Sequence, residues 1–377
     1  MTFSKLPPSS EIEIPGLQSL ENYLSSRIIG QTKAVRSIVR SFNLAAANMH
    51  LSWRPLGVFF FAGPTGVGKT EMALALADYL YYQEQRHQVE KGAPPLIKID
   101  SSLFGGSSHF AVTELIGSPA GYAGSRGTGR RASKPSLIRE NFPPDRLTVL
   151  LWDEVEKALI SEFGYQGQEI SGIFISMLDK GELINRWDKD GPVNFRQTVV
   201  IFTSNIAARD IAKTAGHRSV GYHVKSFVNR ENGDDFSEEE IREINEKIYE
   251  LTRQEYEKQI PPELRNRIDR LIVFRFLTRT EYTQILQKEL NALETEVREK
   301  LKVGTLELSD RAKEWFLRYG IVRELGVRSL QRSLMKRLRD PLATYSLANQ
   351  LSDGCNITID VTKISKKEGK FEFSIEK

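Results

Sequence analysis

Gly63-Pro-Thr-Gly-Val-Gly-Lys-Thr70 decides the fold of this chain, because it fits the pattern G-x-x-x-x-G-K-[ST] between a predicted strand and a predicted helix. The strand is the apolar run Val58–Ala62, and the helix begins at Glu71. Glycines allow backbone N–H groups to close around phosphate oxygens, and the helix N-terminus adds partial positive charge. The stretch therefore predicts a nucleoside triphosphate site.

Two side chains of this phosphate loop have distinct predicted roles. We expect Lys69 to reach the β- and γ-phosphates and the Thr70 hydroxyl to ligate Mg²⁺. The residues expected to contact the nucleotide are Gly63, Pro64, Thr65, Gly66, Val67, Gly68, Lys69 and Thr70.

The composition is that of an ordinary globular protein, with 40% hydrophobic residues among 377 and a mild net charge of +4. No apolar run approaches the roughly 18 residues that a membrane helix needs. Cys355 is the single cysteine, so no intrachain disulfide can form. We expect a cytoplasmic protein with no membrane partner, while the charge neither requires nor excludes an acidic partner.

Strand-like runs alternate with helical patterns in the first part of the chain, and helices dominate after Leu277. The strand-like runs are Val58–Ala62, Leu96–Ile99, Leu147–Trp152, Thr198–Phe202 and Leu271–Phe274. This alternation predicts a parallel sheet covered on both faces. We predict a flexible lead-in over residues 1–16, a large α/β domain over 17–276 and a small, mostly helical domain over 277–377.

Several boundaries are predicted in more detail. Ser237 and Glu240 form a capping-box pattern, and Phe236 with Ile241 forms a hydrophobic-staple pattern at the start of the same predicted helix. The predicted later elements are helices from Glu281 to about Val303, over Asp310–Tyr319 and over Ser329–Asn349, and strands over Ile357–Val361 and Phe371–Ile375.

An acidic pair, Asp153 and Glu154, directly follows the buried strand that ends at Trp152. Ligands bind at the carboxyl edge of such sheets. We predict that Asp153 holds Mg²⁺ opposite Thr70 and that Glu154 orients and deprotonates the attacking water. Asn205, at the end of another strand, is placed to contact the γ-phosphate.

Eight motifs carry a resemblance to a known family. They are Arg27-Ile-Ile-Gly-Gln31, the phosphate loop, Glu114-Leu-Ile-Gly-Ser-Pro-Ala-Gly-Tyr-Ala-Gly124, Trp152-Asp-Glu-Val-Glu-Lys-Ala158, Asn194-Phe-Arg-Gln-Thr-Val-Val200, Thr203-Ser-Asn205, Pro262-Glu-Leu-Arg-Asn-Arg-Ile-Asp269 and Leu325-Gly-Val-Arg-Ser-Leu330. In this order they resemble the second ATPase module of the Clp unfoldases (ClpA, ClpB and ClpC type) in the AAA+ superfamily. The resemblance covers about residues 17–362. It implies an ATP- and Mg²⁺-dependent hydrolase, with a parallel-sheet α/β nucleotide-binding domain followed by a small helical lid.

The resemblance also implies roles for single residues. Ile28 and Ile29 would line the adenine pocket, and Asn205 would be the first nucleotide sensor. Arg267 would be the arginine finger that reaches a neighbouring subunit's γ-phosphate, which implies a homo-hexameric ring. Arg328 would be the second sensor.

The segment Gly121-Tyr122-Ala-Gly124 matches the family's central-pore loop, in which an aromatic side chain grips substrate polypeptide. The resemblance therefore implies a single-ring ATPase that remodels or unfolds protein substrates by pulling polypeptide through a pore. Val220, Gly221 and Tyr222 fall where protease-associated relatives carry a loop that docks on the ClpP protease, so an adaptor or protease partner is one prediction.

Two other functions remain open at this point. The region around Tyr122 is basic, and its cations could instead track a nucleic-acid backbone. These cations are Arg126, Arg130, Arg131, Lys134 and Arg139. The chain could also be an assembly module of a larger complex, which binds ATP chiefly to switch conformation.

Overall fold

The computed structural model describes residues 17–47, 49–86, 96–104, 115, 147–159, 165–183, 192–206, 237–322, 325–348, 351, 353–364 and 369–376. The chain divides into two compact units. The first comprises Met1–Ala62, Lys69–Asn205 and Gln254–Val273. The second comprises Gly63–Gly68, Ile206–Arg253 and Phe274–Lys377.

The first unit alternates helices and strands as predicted. Its elements are α1 (Leu17–Arg27), α2 (Thr32–Ala46), β1 (Gly57–Ala62), α3 (Lys69–Arg86), β2 (Leu96–Asp100), a 3-10 turn (Ser101–Phe104), β3 (Thr148–Asp153), α4 (Glu156–Leu159), α5 (Tyr165–Lys180), β4 (Glu182–Leu183), β5 (Val193–Asn194), β6 (Thr198–Ser204), the end of α6 (Glu238–Gln259), α7 (Pro262–Arg265) and β7 (Arg270–Val273). Among these residues, no helix is both long and apolar enough to cross a membrane.

The sheet of the first unit has the strand order β2-β3-β6-β1-β7, and every pairing in it is parallel. All six residues of β1 are buried, because strands covered on both faces need continuous apolar runs. The register places Ala62 beside Ser204 and Asp100 beside Asp153. The carboxyl ends of the central strands therefore meet at one edge, and the predicted α/β fold class is confirmed.

The second unit combines helices with a small sheet of order β10-β9-β8. Its elements after residue 276 are α8 (Arg279–Leu301), β8 (Thr305–Leu308), α9 (Asp310–Tyr319), α10 (Val327–Leu334), a π-helical turn (Met335–Arg339), α11 (Asp340–Leu347), β9 (Asn356–Ile364) and β10 (Gly369–Glu376). Trp315 and Phe316 of α9 lie in its core with Leu290 and Leu330. The helix over Asp310–Tyr319 agrees with the prediction, whereas β8 was not predicted.

Two boundary predictions have different outcomes. The capping box is confirmed, since the Glu240 N–H donates to Ser237 Oγ at 3.2 Å and the Ser237 N–H donates to Glu240 Oε2 at 2.8 Å. Phe236 lies outside the described residues. The helix predicted over Ser329–Asn349 is confirmed as far as Leu347, with a π-helical turn at Met335–Arg339 inside it that was not predicted. Pro341 has no N–H to donate to the carbonyl four residues earlier, which accounts for the widened turn.

Candidate functional site

The phosphate loop has the backbone that its glycines were predicted to allow. Gly63, Gly66 and Gly68 have φ values of 131°, 71° and 102°, which L side chains rarely adopt. Space is also restricted, since a Cβ on Gly66 would lie 2.1 Å from the carbonyl oxygen of Leu325, within the second unit. A Cβ is therefore sterically excluded at Gly66, and an L side chain would strain the backbone at all three positions.

Asp153 ends β3 and lies within a set of hydrogen-bond donors in the first unit. The hydroxyl of Thr70 lies 3.4 Å from Asp153 Oδ1, which also accepts from the Thr203 hydroxyl. The ammonium of Lys98 on β2 lies 2.7 Å from Asp153 Oδ2. Burial would raise the pKa of Asp153, but hydrogen bonds from Lys98, Thr203 and Thr70 together hold that pKa below its ordinary value of 3.8.

The donor chemistry at Asp153 fits Mg²⁺. An ionised carboxylate and a hydroxyl are hard oxygen ligands, and Mg²⁺ in such sites takes one or two carboxylates together with phosphate oxygens. The described residues contain no group of three or more His, Cys, Asp or Glu side chains that could form an all-protein metal cage.

Glu154 has an unusual backbone, with φ at 56° in the left-handed region. Its N–H donates to Thr203 Oγ1 at 3.1 Å, and the N–H of Val155 donates to the Thr203 carbonyl at 2.9 Å. In the side chain, Oε1 accepts from Asn205 Nδ2 at 3.1 Å and Oε2 pairs with Lys157. Backbone and side chain are thus both held.

Asn205 joins the lysine of the phosphate loop to Glu154. Lys69 Nζ donates to Asn205 Oδ1 at 2.9 Å, while the Asn205 amide nitrogen donates to Glu154. The Asn205 backbone N–H donates to Glu156 Oε1 at 3.1 Å, which orients the residue. The structure thus brings together Lys69, Asn205 and Glu154, three residues singled out from the sequence.

Arg267 follows α7 and turns toward its own chain. Its Nη1 donates to the Glu263 carbonyl at 2.6 Å, and its Nε lies 3.4 Å from Asp179 Oδ1. Arg328 is exposed near the start of α10. Within the second unit, the neighbouring Val327 N–H donates to the Gly66 carbonyl at 2.9 Å.

No contact in the described part of the chain tests the roles predicted for the other site residues. Ile28, at the end of α1, is buried and Ile29 is half-buried, so their adenine-binding role stays a prediction. Tyr122, the basic residues between 126 and 139 and the segment Val220–Tyr222 lie outside the described residues.

Sequence reasoning missed several residues that hold the acidic pair. Thr203 was part of a quoted motif but had no role, although it contacts both Asp153 and Glu154. Lys157 lies three residues after Glu154, a spacing that brings side chains together on a helical turn and could have indicated the pair. Lys98 gave no local signal, because its partner is on a different strand.

Two models of known protein families match this chain. The family model for the AAA domain (Cdc48 subfamily) matches residues 54–271. The model for the C-terminal, D2-small domain of ClpB protein matches residues 277–359.

Three relatives show the extent of the similarity. The chain is 33% identical over 347 residues to the ATP-dependent Clp protease ATP-binding subunit ClpA homolog CD4B, chloroplastic, of Solanum lycopersicum, covering 92% of the chain and 33% of the relative. The chain is also 33% identical to the chaperone protein ClpC1, chloroplastic, of Arabidopsis thaliana, over 92% of the chain and 32% of the relative. It is 32% identical to the probable chaperone protein ClpB 1 of Chlorobaculum tepidum, over 91% of the chain and 67% of the relative. The chain spans about a third of the first two proteins.

Proposed function

Because this chain belongs to the AAA family and carries a Clp-type AAA+ ATPase module, we propose that it forms a ring that couples ATP hydrolysis to pulling protein substrates through a central pore. The observation that carries the hydrolytic part is the hydrogen-bonded connection from Lys69 through Asn205 to Glu154. It joins a phosphate-binding cation to a general base through the residue proposed as the first sensor.

Each residue of this connection has a chemical task. Lys69 binds the β- and γ-phosphates, and Glu154 orients the attacking water and accepts its proton. Thr70 and Asp153 would hold Mg²⁺, which neutralises phosphate charge when bound with ATP. Both oxygens of Glu154 already accept bonds from Asn205 and Lys157. Each carboxylate oxygen has a second lone pair, so Glu154 can receive the proton while these two bonds hold it in place.

The remaining nucleotide contacts extend this proposal. Ile28 and Ile29 line the adenine site, and Arg328 acts as the second sensor from the small domain. The matched ranges 54–271 and 277–359 lie on either side of residue 276, which supports the division into a large domain over 17–276 and a small one over 277–377.

Arg267 acts on a neighbouring subunit in this proposal, within a homo-hexamer. The support is its environment: among the described residues, its side chain contacts the Glu263 carbonyl and Asp179, which have no proposed part in nucleotide binding. Its Nε is buried and, although it lies 3.4 Å from Asp179 Oδ1, makes no hydrogen bond among the described residues. A guanidinium suits the charge that develops on a transferring phosphoryl group.

The substrate is proposed to be an unfolded segment of protein, gripped by Tyr122. Support comes from the segment Gly121-Tyr122-Ala-Gly124 and from the word chaperone in the relatives' names. Val220, Gly221 and Tyr222 form the proposed contact for an adaptor or protease partner. A cytoplasmic location belongs to the same proposal, supported by the single cysteine, Cys355.

The deciding experiment compares protein remodelling with nucleic-acid binding in two variants. Tyr122→Ala should keep ATPase activity and ring assembly but lose remodelling of a fluorescent protein substrate, while Tyr122→Phe, which keeps the ring, should retain it. The combined change Arg126→Ala, Arg130→Ala and Arg131→Ala should leave remodelling largely intact. Unimpaired remodelling by Tyr122→Ala, together with loss of salt-dependent DNA or RNA binding in the arginine variant, would establish the nucleic-acid function instead.

A further inference from the structure

Arg54 lies between α2 and β1 and bonds two separate parts of the first unit, the segment 267–269 and the end of α5. Its Nη2 donates to the carbonyl of Arg267 at 2.6 Å, and its Nε donates to the carbonyl of Leu178 at 3.2 Å. Its Nη1 lies 3.4 Å from Asp269 Oδ1, and the Arg54 side chain is only 20% exposed. All three guanidinium nitrogens of Arg54 thus contact protein atoms, which is not typical of an arginine on an exposed surface.

Asp269 extends this contact to the strand that leads into the phosphate loop. Its second carboxylate oxygen accepts from the Val58 N–H at 2.8 Å, and its own N–H donates to the Val58 carbonyl at 2.9 Å. The segment 267–269 is thereby bonded to β1 at its amino end. Arg54 and Asp269 together hold Arg267 at a set position relative to β1.

The same guanidinium also determines what surrounds the Arg267 side chain. Leu178, whose carbonyl Arg54 binds, immediately precedes Asp179, whose carboxylate lies 3.4 Å from Arg267 Nε. Arg54 therefore holds the backbone on both sides of the Arg267–Asp179 ion pair. A planar guanidinium with five N–H donors can bind two carbonyls and a carboxylate at once, whereas an ammonium has three donors at a single point.

We propose that Arg54 is a positioning residue for Arg267: it fixes the backbone of the arginine finger and ties it to β1, the strand that leads into its own phosphate loop. This rests on the proposed function, in which Arg267 acts on a neighbour's nucleotide. Arg54 touches no part of the nucleotide site among its described contacts. Its loss should therefore damage the neighbour's site and spare the site of its own chain.

The test uses mixed rings of the full chain. Arg54→Gln alone should bind ATP within about twofold of the original affinity while kcat falls on the order of 10²-fold, the cost of misplacing a group in a reacting site. Mixing it with Lys69→Ala subunits, which are inactive alone, should restore turnover, since an intact Arg54→Gln site can then use a correctly held Arg267 from its neighbour. A fold defect within the Arg54→Gln subunit would not be corrected by its neighbour.

Two further variants control the measurement. Arg196→Gln removes another part-buried arginine of the first unit, paired with Glu182 and 27% exposed, and should leave turnover near that of the unchanged chain. Arg54→Lys keeps the charge but can bond fewer partners. Its turnover should therefore lie between those of the unchanged chain and Arg54→Gln, and Lys69→Ala subunits should restore it equally well. If Arg54→Gln does not fold, Arg54→Lys decides the outcome in the same mixing experiment.

The outcomes separate this inference from its premise. If Lys69→Ala subunits rescue Arg267→Ala but not the Arg54 variants, the positioning role of Arg54 is wrong. The proposed arginine-finger role of Arg267 would then still hold. Failure of Arg267→Ala itself to be rescued, in rings shown by mass to be mixed, would remove the premise and the inference with it. Full turnover in Arg54→Gln would also overturn the inference.

Discussion

The hydroxyl of Thr203 accepts a hydrogen bond from the backbone N–H of Glu154 at 3.1 Å. The same hydroxyl donates to Asp153 Oδ1, and the Thr203 carbonyl accepts from the next N–H along, that of Val155. One buried threonine on β6 thus holds both acidic residues at the end of β3. These bonds help offset the cost of about 1–3 kcal/mol of the left-handed backbone at Glu154.

Thr203→Val should impair catalysis more than ATP binding. Valine keeps the shape but removes the hydroxyl, which leaves the Glu154 N–H without its bond at a cost of about 1–3 kcal/mol. With Glu154 displaced, we expect kcat to fall by about 10²-fold, measured by steady-state ATPase assays beside ATP binding by calorimetry. Thr203→Ser keeps the hydroxyl and should retain most activity. Equal activity of the valine and serine variants would show that the hydroxyl does not position Glu154.

The two ends of the Lys69–Asn205–Glu154 connection should separate binding from hydrolysis. Lys69→Ala removes the charge that faces the phosphates, so ATP binding should be lost. Glu154→Gln keeps size and hydrogen bonding but removes the general base, so ATP should bind without turnover. Calorimetry and a phosphate-release assay measure the two steps. Equal loss of ATP binding in both variants would show that these roles are wrongly assigned.

Gly326→Ala should disturb the phosphate loop as well as the small domain. Gly326 has φ at 56°, and a Cβ there would lie 2.5 Å from the carbonyl oxygen of Gly66. Gly354→Ala is the matched control, since Gly354 also has positive φ, at 80°, but nothing lies within 4 Å of its Cβ position.

Backbone strain alone should cost the glycine variants about 1–3 kcal/mol of stability each, and at Gly326, where ψ is −140°, the backbone lies outside the left-handed helical region. Only Gly326→Ala should weaken ATP binding in addition, because only its new methyl group meets the backbone of the phosphate loop. Denaturant unfolding and calorimetry measure the two effects. Equal ATP affinity in both variants would mean that the Gly66–Gly326 approach has no part in nucleotide binding.

Tyr256 should make the protein less stable in alkali. Burial raises the pKa of Tyr256 to about 12, from an ordinary value of 10.0, although the charge of Arg265 opposes this. Its ring lies edge-on to Phe60, with centroids 4.9 Å apart. Below pH 10 both folded and unfolded states keep the proton; between pH 10 and 12 the unfolded chain loses it first, so stability declines as pH rises.

Tyr256→Phe should therefore flatten the fall in the free energy of unfolding between pH 10 and 12. Denaturant unfolding at a series of pH values measures this slope. Tyr249, on the same helix and 52% exposed, provides the control, and Tyr249→Phe should keep the slope of the unchanged chain. An unchanged slope in Tyr256→Phe would assign alkaline unfolding to other groups.

The strands and the phosphate loop could be predicted because each depends on consecutive residues. Continuous apolar runs indicated β1, β3 and β6, and the glycine spacing indicated a phosphate loop, in which the structure shows three glycines with positive φ. The parallel order of alternating strands and helices then placed Asp153 and Asn205 at one edge of the sheet. Short β8 was missed because a four-residue alternation also fits a loop.

Which groups hold the proposed catalytic residues was decided only by the tertiary structure. Thr203 lies 49 residues from Glu154, and Arg54 lies 213 residues from Arg267. Which donors reach those groups depends on strand order, register and the path of loops. A local period or motif specifies none of these, since hydrogen bonds act over about 3 Å in space and are indifferent to separation along the chain.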